Sequence, residues 1–173
     1  IAAGNCVVIK PSNQSVHTSA IIEKIIKETF PKKYISVVQG PGSRVVPSLI
    51  KNYPFNHIFF TGSPKIGKEV LRLASYHLSP VTLELGGKSP AIVHKDSNLD
   101  LAAKRIVAGK YYNAGQTCIA PDYLLVHEDV KDRLINHLID YIRQFYGDNP
   151  QASKDYGRII NKNRFNTLIN YLE

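Results

Sequence analysis

The chain has 173 residues, 43% hydrophobic and 21% charged, which fits a soluble globular protein with one core or two small ones. Its formal net charge is +8, yet Lys and Arg are scattered singly or in pairs, with no basic stripe interleaved with aromatics, so the charge is not read as a nucleic-acid or RNA-binding surface. No apolar run approaches the roughly 18 residues a membrane span requires, and two cysteines without a secretory signal argue for a reducing, cytoplasmic compartment.

Taken in order, the apolar run Cys6-Val7-Val8-Ile9 predicts a buried strand of a parallel sheet over 4–9, with Cys6 in the core and Lys10-Pro11-Ser12 ending it. A helix of about four turns follows, with Ala20, Ile21, Ile22, Ile25, Ile26 and Phe30 marking an apolar face before Pro31. Tyr34 to Val38 is a second strand, Gly40-Pro41-Gly42 a turn, and 43–51 a short helix. His57 to Phe60 is a third strand, after which Ser63 is the N-cap of a helix that has Pro64 at its first position. This β-α-β-α-β-α alternation argues for a parallel twisted sheet flanked by helices, an α/β fold with ligands at the carboxyl ends of the strands.

Further strands are expected at Val81 to Leu85, Pro90 to Val93 and Tyr123 to Val126. Asp96-Ser97-Asn98 should cap a helix from Leu99 to about Tyr112, an amphipathic helix should run from Asp129 to Phe145, and a last one should start at Lys162. Residues 1–83 and 84–173 are expected to belong to two domains. The chain begins Ile1-Ala2-Ala3 and contains no Met, so it is expected to be an internal piece of a longer polypeptide.

Two stretches carry chemistry. In Asn113-Ala114-Gly115-Gln116-Thr117-Cys118 a lone cysteine stands between a helix and a strand. Its neighbours offer backbone approach and polar groups rather than an apolar wall. A free thiol of pKa about 8.5 is already a few per cent thiolate near neutrality, which makes it a ready nucleophile. In Leu83-Glu84-Leu85-Gly86-Gly87-Lys88 a carboxylate ends a strand just before two glycines, a placement that taken alone is usually a solvated or paired charge and gains meaning only beside Cys118.

Together these motifs resemble the NAD(P)-dependent aldehyde dehydrogenases, in which a Glu-Leu-Gly-Gly-Lys segment carries a general base and a Gly-Gln-Thr-Cys segment the nucleophile. The wording around Cys118, with Ile119-Ala120-Pro121-Asp122-Tyr123 after it, is most similar to the class 3 or fatty-aldehyde branch, and the likeness runs over essentially the whole chain. It implies that 1–83 is the later part of a Rossmann-like NAD(P)-binding domain and 84–173 the first part of the catalytic domain. It also implies oxidation of an aldehyde to a carboxylic acid through a thiohemiacetal and a thioester on Cys118, with Glu84 activating water. The family's oxyanion asparagine and nicotinamide-ribose glutamate belong to segments before Ile1 and after Glu173. A CoA-acylating dehydrogenase is the near alternative, against which Glu84 speaks, and a non-catalytic module keeping the fold is the other.

No Gly-x-Gly-x-x-Gly follows the first strand, so the ordinary dinucleotide fingerprint is missing. Lys10 ends that strand, where a cation reaches a ribose or phosphate, and the run Gly62 to Gly67 opens a helix whose N–H groups favour an anion. The resemblance assigns Lys10 to the adenosine ribose, places Gly62, Ser63 and Gly67 near the pyrophosphate, and adds Ser12, Asn13 and Leu85 to the cofactor contacts. Many members have a ribose-binding glutamate where Asn13 stands. A neutral amide does not repel a 2′-phosphate, so NADP is expected alongside NAD. The remaining implied partner is a small aldehyde, and the parent enzyme is expected to be a homo-oligomer; no metal ligand set is evident.

Overall fold

The computed structural model describes all 173 residues, which fall into two compact units, Ile1–Glu84 and Leu85–Glu173. The first contains β1 (Val7–Ile9), α1 (Val16–Thr29), β2 (Ile35–Val37), α2 (Gly42–Asn52), β3 (Ile58–Thr61), α3 (Pro64–Ala74) and β4 (Val81–Glu84). The second contains β5 (Ser89–Val93), α4 (Leu99–Tyr111), β6 (Pro121–Val126), α5 (Lys131–Tyr146) and α6 (Lys162–Ile169). All strand pairs are parallel, as the alternation of strands and helices predicts, but they form three two-stranded ladders, β1–β2, β3–β4 and β5–β6. No helix is long and apolar enough to cross a membrane.

In the first unit the best-built core lies between α2, α3 and the β3–β4 ladder. Ile50, Val70 and Leu73 are buried there, with Val46, Ile58, Phe60 and Val81 packed against them. The start of α3 follows from its sequence: Ser63 caps it through a 3.4 Å bond from the Ile66 N–H, and Pro64 supplies a preset φ where no donor is needed. Gly67, Val70, Leu73 and Ala74 then share the buried side, the three- and four-residue spacing of one helix face.

The β1–β2 region differs from expectation. Cys6 is exposed and precedes the strand, which is only three residues long, and Val8 is 41% exposed. Val8 points to the face opposite the half-buried Val7 and Ile9, so the strand is covered on one face only and its apolar composition does not translate into burial there. On α1, Ile21 and Ile25 are 60% and 54% exposed and Phe30 is exposed as well. The covered side instead runs through Ser19, Ile22, Glu23 and Ile26. The Ser19 hydroxyl is buried and donates 2.7 Å to the Ser12 carbonyl, which turns a polar residue inward in place of an isoleucine.

The second unit closes around Val93, Ala103 and Leu134, with Leu99, Ala102, Ile106, Leu124, Val126, Leu138 and Tyr141 around them. Asn98 caps α4 by accepting from the Leu101 N–H at 3.0 Å, and Asp100 in the first turn complements the helix dipole. The predicted helix at 129–145 begins as a 3-10 turn, Glu128–Val130, before α5 proper, which ends at Gly147 with φ 79°. Leu134, Leu138 and Tyr141 form its inward stripe, and Tyr141 also donates 2.7 Å to Asp100 Oδ1.

Candidate active site

The cysteine loop is built from both ends. Helix α4 stops at Tyr111, and the chain continues as a 3-10 turn over Tyr112–Gly115 in which Asn113 (φ 53°) and Ala114 (φ 54°) are left-handed, followed by Gly115 (φ 76°). Only the glycine takes that conformation freely, and an alanine there costs roughly 1–2 kcal/mol. Contacts with the segment 156–161 surround this kink: a Cβ on Gly157 would lie 3.7 Å from the Ala114 nitrogen, and the Gln116 side chain bonds across to Arg158 and Ile160. Cys118 then sits in a turn closed by the Ala120 N–H donating 3.1 Å to the Thr117 carbonyl. Its side of the loop is exposed, no chain acceptor takes its N–H, and Ala120 is buried where the loop enters β6.

The glutamate-bearing motif meets this turn at a glycine. A Cβ on Gly87 would overlap the carbonyl oxygen of Cys118, so the backbone approach at 87 admits no side chain. Immediately after it, Lys88 Nζ pairs with Asp122 Oδ2 at 3.0 Å, across the start of the β5–β6 ladder. Both side chains stay partly solvated and the pair contributes little by itself. Glu84 closes β4 opposite Thr61; its carbonyl accepts from the Gly62 N–H at 3.0 Å and its carboxylate is exposed. Leu85, half-buried, is the first residue of the second unit.

The expected cofactor residues form two groups. Lys10 follows β1 half-buried, with Nζ donating 2.7 Å to the Pro11 carbonyl. Its stem passes the start of α2, where a Cβ on Gly42 would stand 3.9 Å from Lys10 Cε. Ser12 and Asn13 are exposed beside it; Ser12 Oγ accepts from the Gln14 N–H at 3.2 Å, and its carbonyl holds the buried Ser19. Gly62, Ser63 and Gly67 make up the other group, the start of α3 on the β3–β4 ladder. There the Gly67 N–H donates to the Ser63 carbonyl, the Ile66 N–H to Ser63 Oγ, and Pro64 has none, which leaves the Lys65 N–H as the open donor. Neither α2 nor α3 has an acidic residue in its first turn. A lysine beside one helix start and an open N–H at another, with no carboxylate at either, is a donor set that fits an anionic dinucleotide. No cluster of His, Cys, Asp or Glu is arranged to hold a metal ion.

Sequence reasoning missed three residues that shape the site: Ser19, which pins the Ser12 carbonyl; Gly87, whose missing side chain admits the Cys118 backbone; and Gln116, which spans more than forty positions. The adjacent glycines 86 and 87 were a usable signal for a close approach. Nothing local announces the other two.

The profile of the aldehyde dehydrogenase family matches residues 1–173, and the chain belongs to that family. Among its relatives, a 4,4'-diaponeurosporen-aldehyde dehydrogenase of Staphylococcus aureus is 51% identical over 99% of this chain and 37% of its own length. A dimeric NADP-preferring aldehyde dehydrogenase of Mus musculus is 44% identical over 100% of this chain and 38% of its own. Among solved structures, a substrate-bound state of Staphylococcus aureus AldH superposes with a TM-score of 0.89 at 49% identity, over 99% of this chain and 37% of that one. An NAD+ complex of Staphylococcus aureus betaine aldehyde dehydrogenase superposes with a TM-score of 0.83 at 30% identity, over 96% and 34%. The chain thus spans little more than a third of the length of these relatives.

Proposed function

We propose that this chain is the nucleophile-bearing part of an enzyme that oxidises an aldehyde to a carboxylic acid with NAD or NADP. The observation that carries the reading is the Cys118 turn: an exposed thiol with an unclaimed N–H, packed against Gly87 of the glutamate motif. The Cys118 thiolate adds to the aldehyde carbonyl, and the Cys118 N–H donates to the oxyanion as charge develops there, a contribution commonly worth about 3 kcal/mol per donor. NAD(P), when bound, supplies the hydride acceptor that allows the cysteine adduct to become a thioester. Glu84 then takes a proton from water, the resulting hydroxide attacks the thioester carbonyl, and the acid leaves as the thiol is restored; general-base help of this kind is worth roughly 10²–10⁴ in rate.

Lys10, Ser12, Asn13, Gly62, Ser63, Gly67 and Leu85 are the residues that would hold the dinucleotide. The family's fold and the name of the mouse relative support an NADP-competent, dimeric enzyme. Two exposed, unpaired thiols suit a reducing, cytoplasmic compartment. In the full-length protein Cys118→Ala should abolish NAD(P)H formation from aldehydes while leaving dinucleotide affinity within about twofold, because the thiol alone makes the covalent bond. Undiminished turnover by that variant would falsify the assignment.

A further inference from the structure

The Gln116 side chain uses both of its donors and its amide oxygen on two backbone segments. Its amide nitrogen donates to the Asn113 carbonyl at 3.0 Å and to the Arg158 carbonyl at 3.0 Å, and its Oε1 accepts from the Ile160 N–H at 2.9 Å. Two carbonyls and one N–H fix which end of the amide is which. In return the Gln116 carbonyl accepts from Asn113 Nδ2 at 3.3 Å, and its N–H donates 3.1 Å to the Asn113 carbonyl. The amide therefore spans the left-handed kink at Asn113–Gly115 and ties it to the 158–160 backbone, two residues before the nucleophile.

The 158–160 segment is itself anchored. The Arg158 guanidinium donates to the carbonyls of Tyr156, Gly157 and Gln151, and the Tyr156 ring lies 5.0 Å from that of Tyr146 on α5 and 6.2 Å from that of Tyr111 at the end of α4. On its far side the Cys118 turn is fixed by buried Ala120 and the β5–β6 register. Without the Gln116 side chain the three left-handed residues would keep only the local bonds between Asn113 and the backbone of residue 116 and the close approach of Gly157. A backbone in sparsely populated conformations persists only where its surroundings over-determine it.

We propose that Gln116 is a positioning residue for the nucleophile: its amide sets where the Cys118 Sγ and N–H stand, so that thiol attack and oxyanion donation occur at one carbonyl. This rests on the functional reading above. Misplacement of a reacting group by about 1 Å can cost on the order of 10²-fold in rate, so the effect belongs in the bond-forming step and not in aldehyde or dinucleotide affinity.

The test uses the full-length protein carrying Gln116→Glu, which keeps the acceptor for Ile160 but loses both donors, and Gln116→Met, which loses all three bonds at similar size. Each is combined with Glu84→Gln, whose slow thioester release lets rapid mixing with aldehyde and NAD(P) give a burst amplitude that counts competent sites and a burst rate that reports thiol attack and oxidation. Expected, relative to Glu84→Gln alone, are an unchanged amplitude and half-saturating aldehyde concentration, a burst rate lower by about 10- to 100-fold, and faster hydrogen exchange over 116–120 in both variants and at Ile160 in Gln116→Met. A purely structural amide would instead lower the amplitude and the melting temperature and leave the rate per competent site unchanged, which overturns the proposal, as does unaltered exchange at Ile160 in Gln116→Met. Should both variants fail to fold, Ile160→Pro removes one bond from the other side and must slow the burst in the same way. Glu84→Gln protein that keeps Gln116 and forms no NAD(P)H in its first turnover overturns the functional reading itself and is told apart because it does not depend on position 116.

Discussion

In the proposed reading, chemistry turns on Cys118 and dinucleotide selectivity on Asn13. Each occupies a loop held by its neighbours: the turn closed between Thr117 and Ala120 for the thiol, and the Ser19-pinned stretch after Lys10 for the amide. If Asn13 stands beside the adenosine ribose, its neutrality leaves room for a 2′-phosphate, and the full-length enzyme should turn over both NAD and NADP. Asn13→Glu should then raise the KM for NADP by about tenfold or more through like-charge repulsion while changing that for NAD little. Equal effects on the two dinucleotides in steady-state assays would remove Asn13 from the ribose. Cys6 carries a different lesson. Expected in the core, it is exposed like Cys118, so an alkylating reagent that selected Cys118 would do so through reactivity and not access.

Among the elements, those whose ends are written locally were legible from sequence. Ser63-Pro64 starts α3 and Asn98 starts α4 because capping needs only the side chain and the next three residues. Burial was less legible, because it depends on what packs alongside. Val8 lies in an apolar run yet stays exposed on a strand with one partner, and Ile21 and Ile25 lose the inner face of α1 to Ser19, whose hydroxyl finds a carbonyl. The kink after α4 was hidden because neither Asn113 nor Ala114 demands φ near 55°, and the Gln116 bonds to Arg158 and Ile160 that accompany it join positions more than forty residues apart. The tyrosine cluster that seats this distant segment has a titration consequence. Burial, then the neighbouring Tyr111 and Tyr146, raise the Tyr156 phenol above its ordinary value, and burial raises Tyr146 likewise. The neutral phenols favour the folded state, so their contribution is fully present below the unfolded pKa of about 10 and is lost as pH rises through the folded value. An alkaline spectrophotometric titration should show tyrosines ionising later in the folded chain than in denaturant, and Tyr156→Phe should reduce that late fraction. Superimposable folded and denatured curves would contradict the packing of 156 on α4 and α5.

For the molecule as a whole, the chain spans 37% and 38% of the two relatives compared and exposes large apolar side chains, among them Phe59, Leu78, Ile92 and Ile119. Residues 1–173 expressed alone should therefore associate or aggregate and give no sustained turnover with NAD, NADP and a panel of aldehydes. Turnover near that of the full-length enzyme would show that the chemistry needs nothing beyond these residues. The central claim is that Cys118 carries the acyl group and Glu84 releases it, and the most direct measurement is an acid-quenched mass spectrum of full-length Glu84→Gln after mixing with aldehyde and NAD(P). The account predicts one equivalent of NAD(P)H formed rapidly, slow turnover thereafter, and an acyl mass increment on the peptide containing Cys118. Continued turnover with no increment on that peptide, or no NAD(P)H in the first cycle, would contradict it.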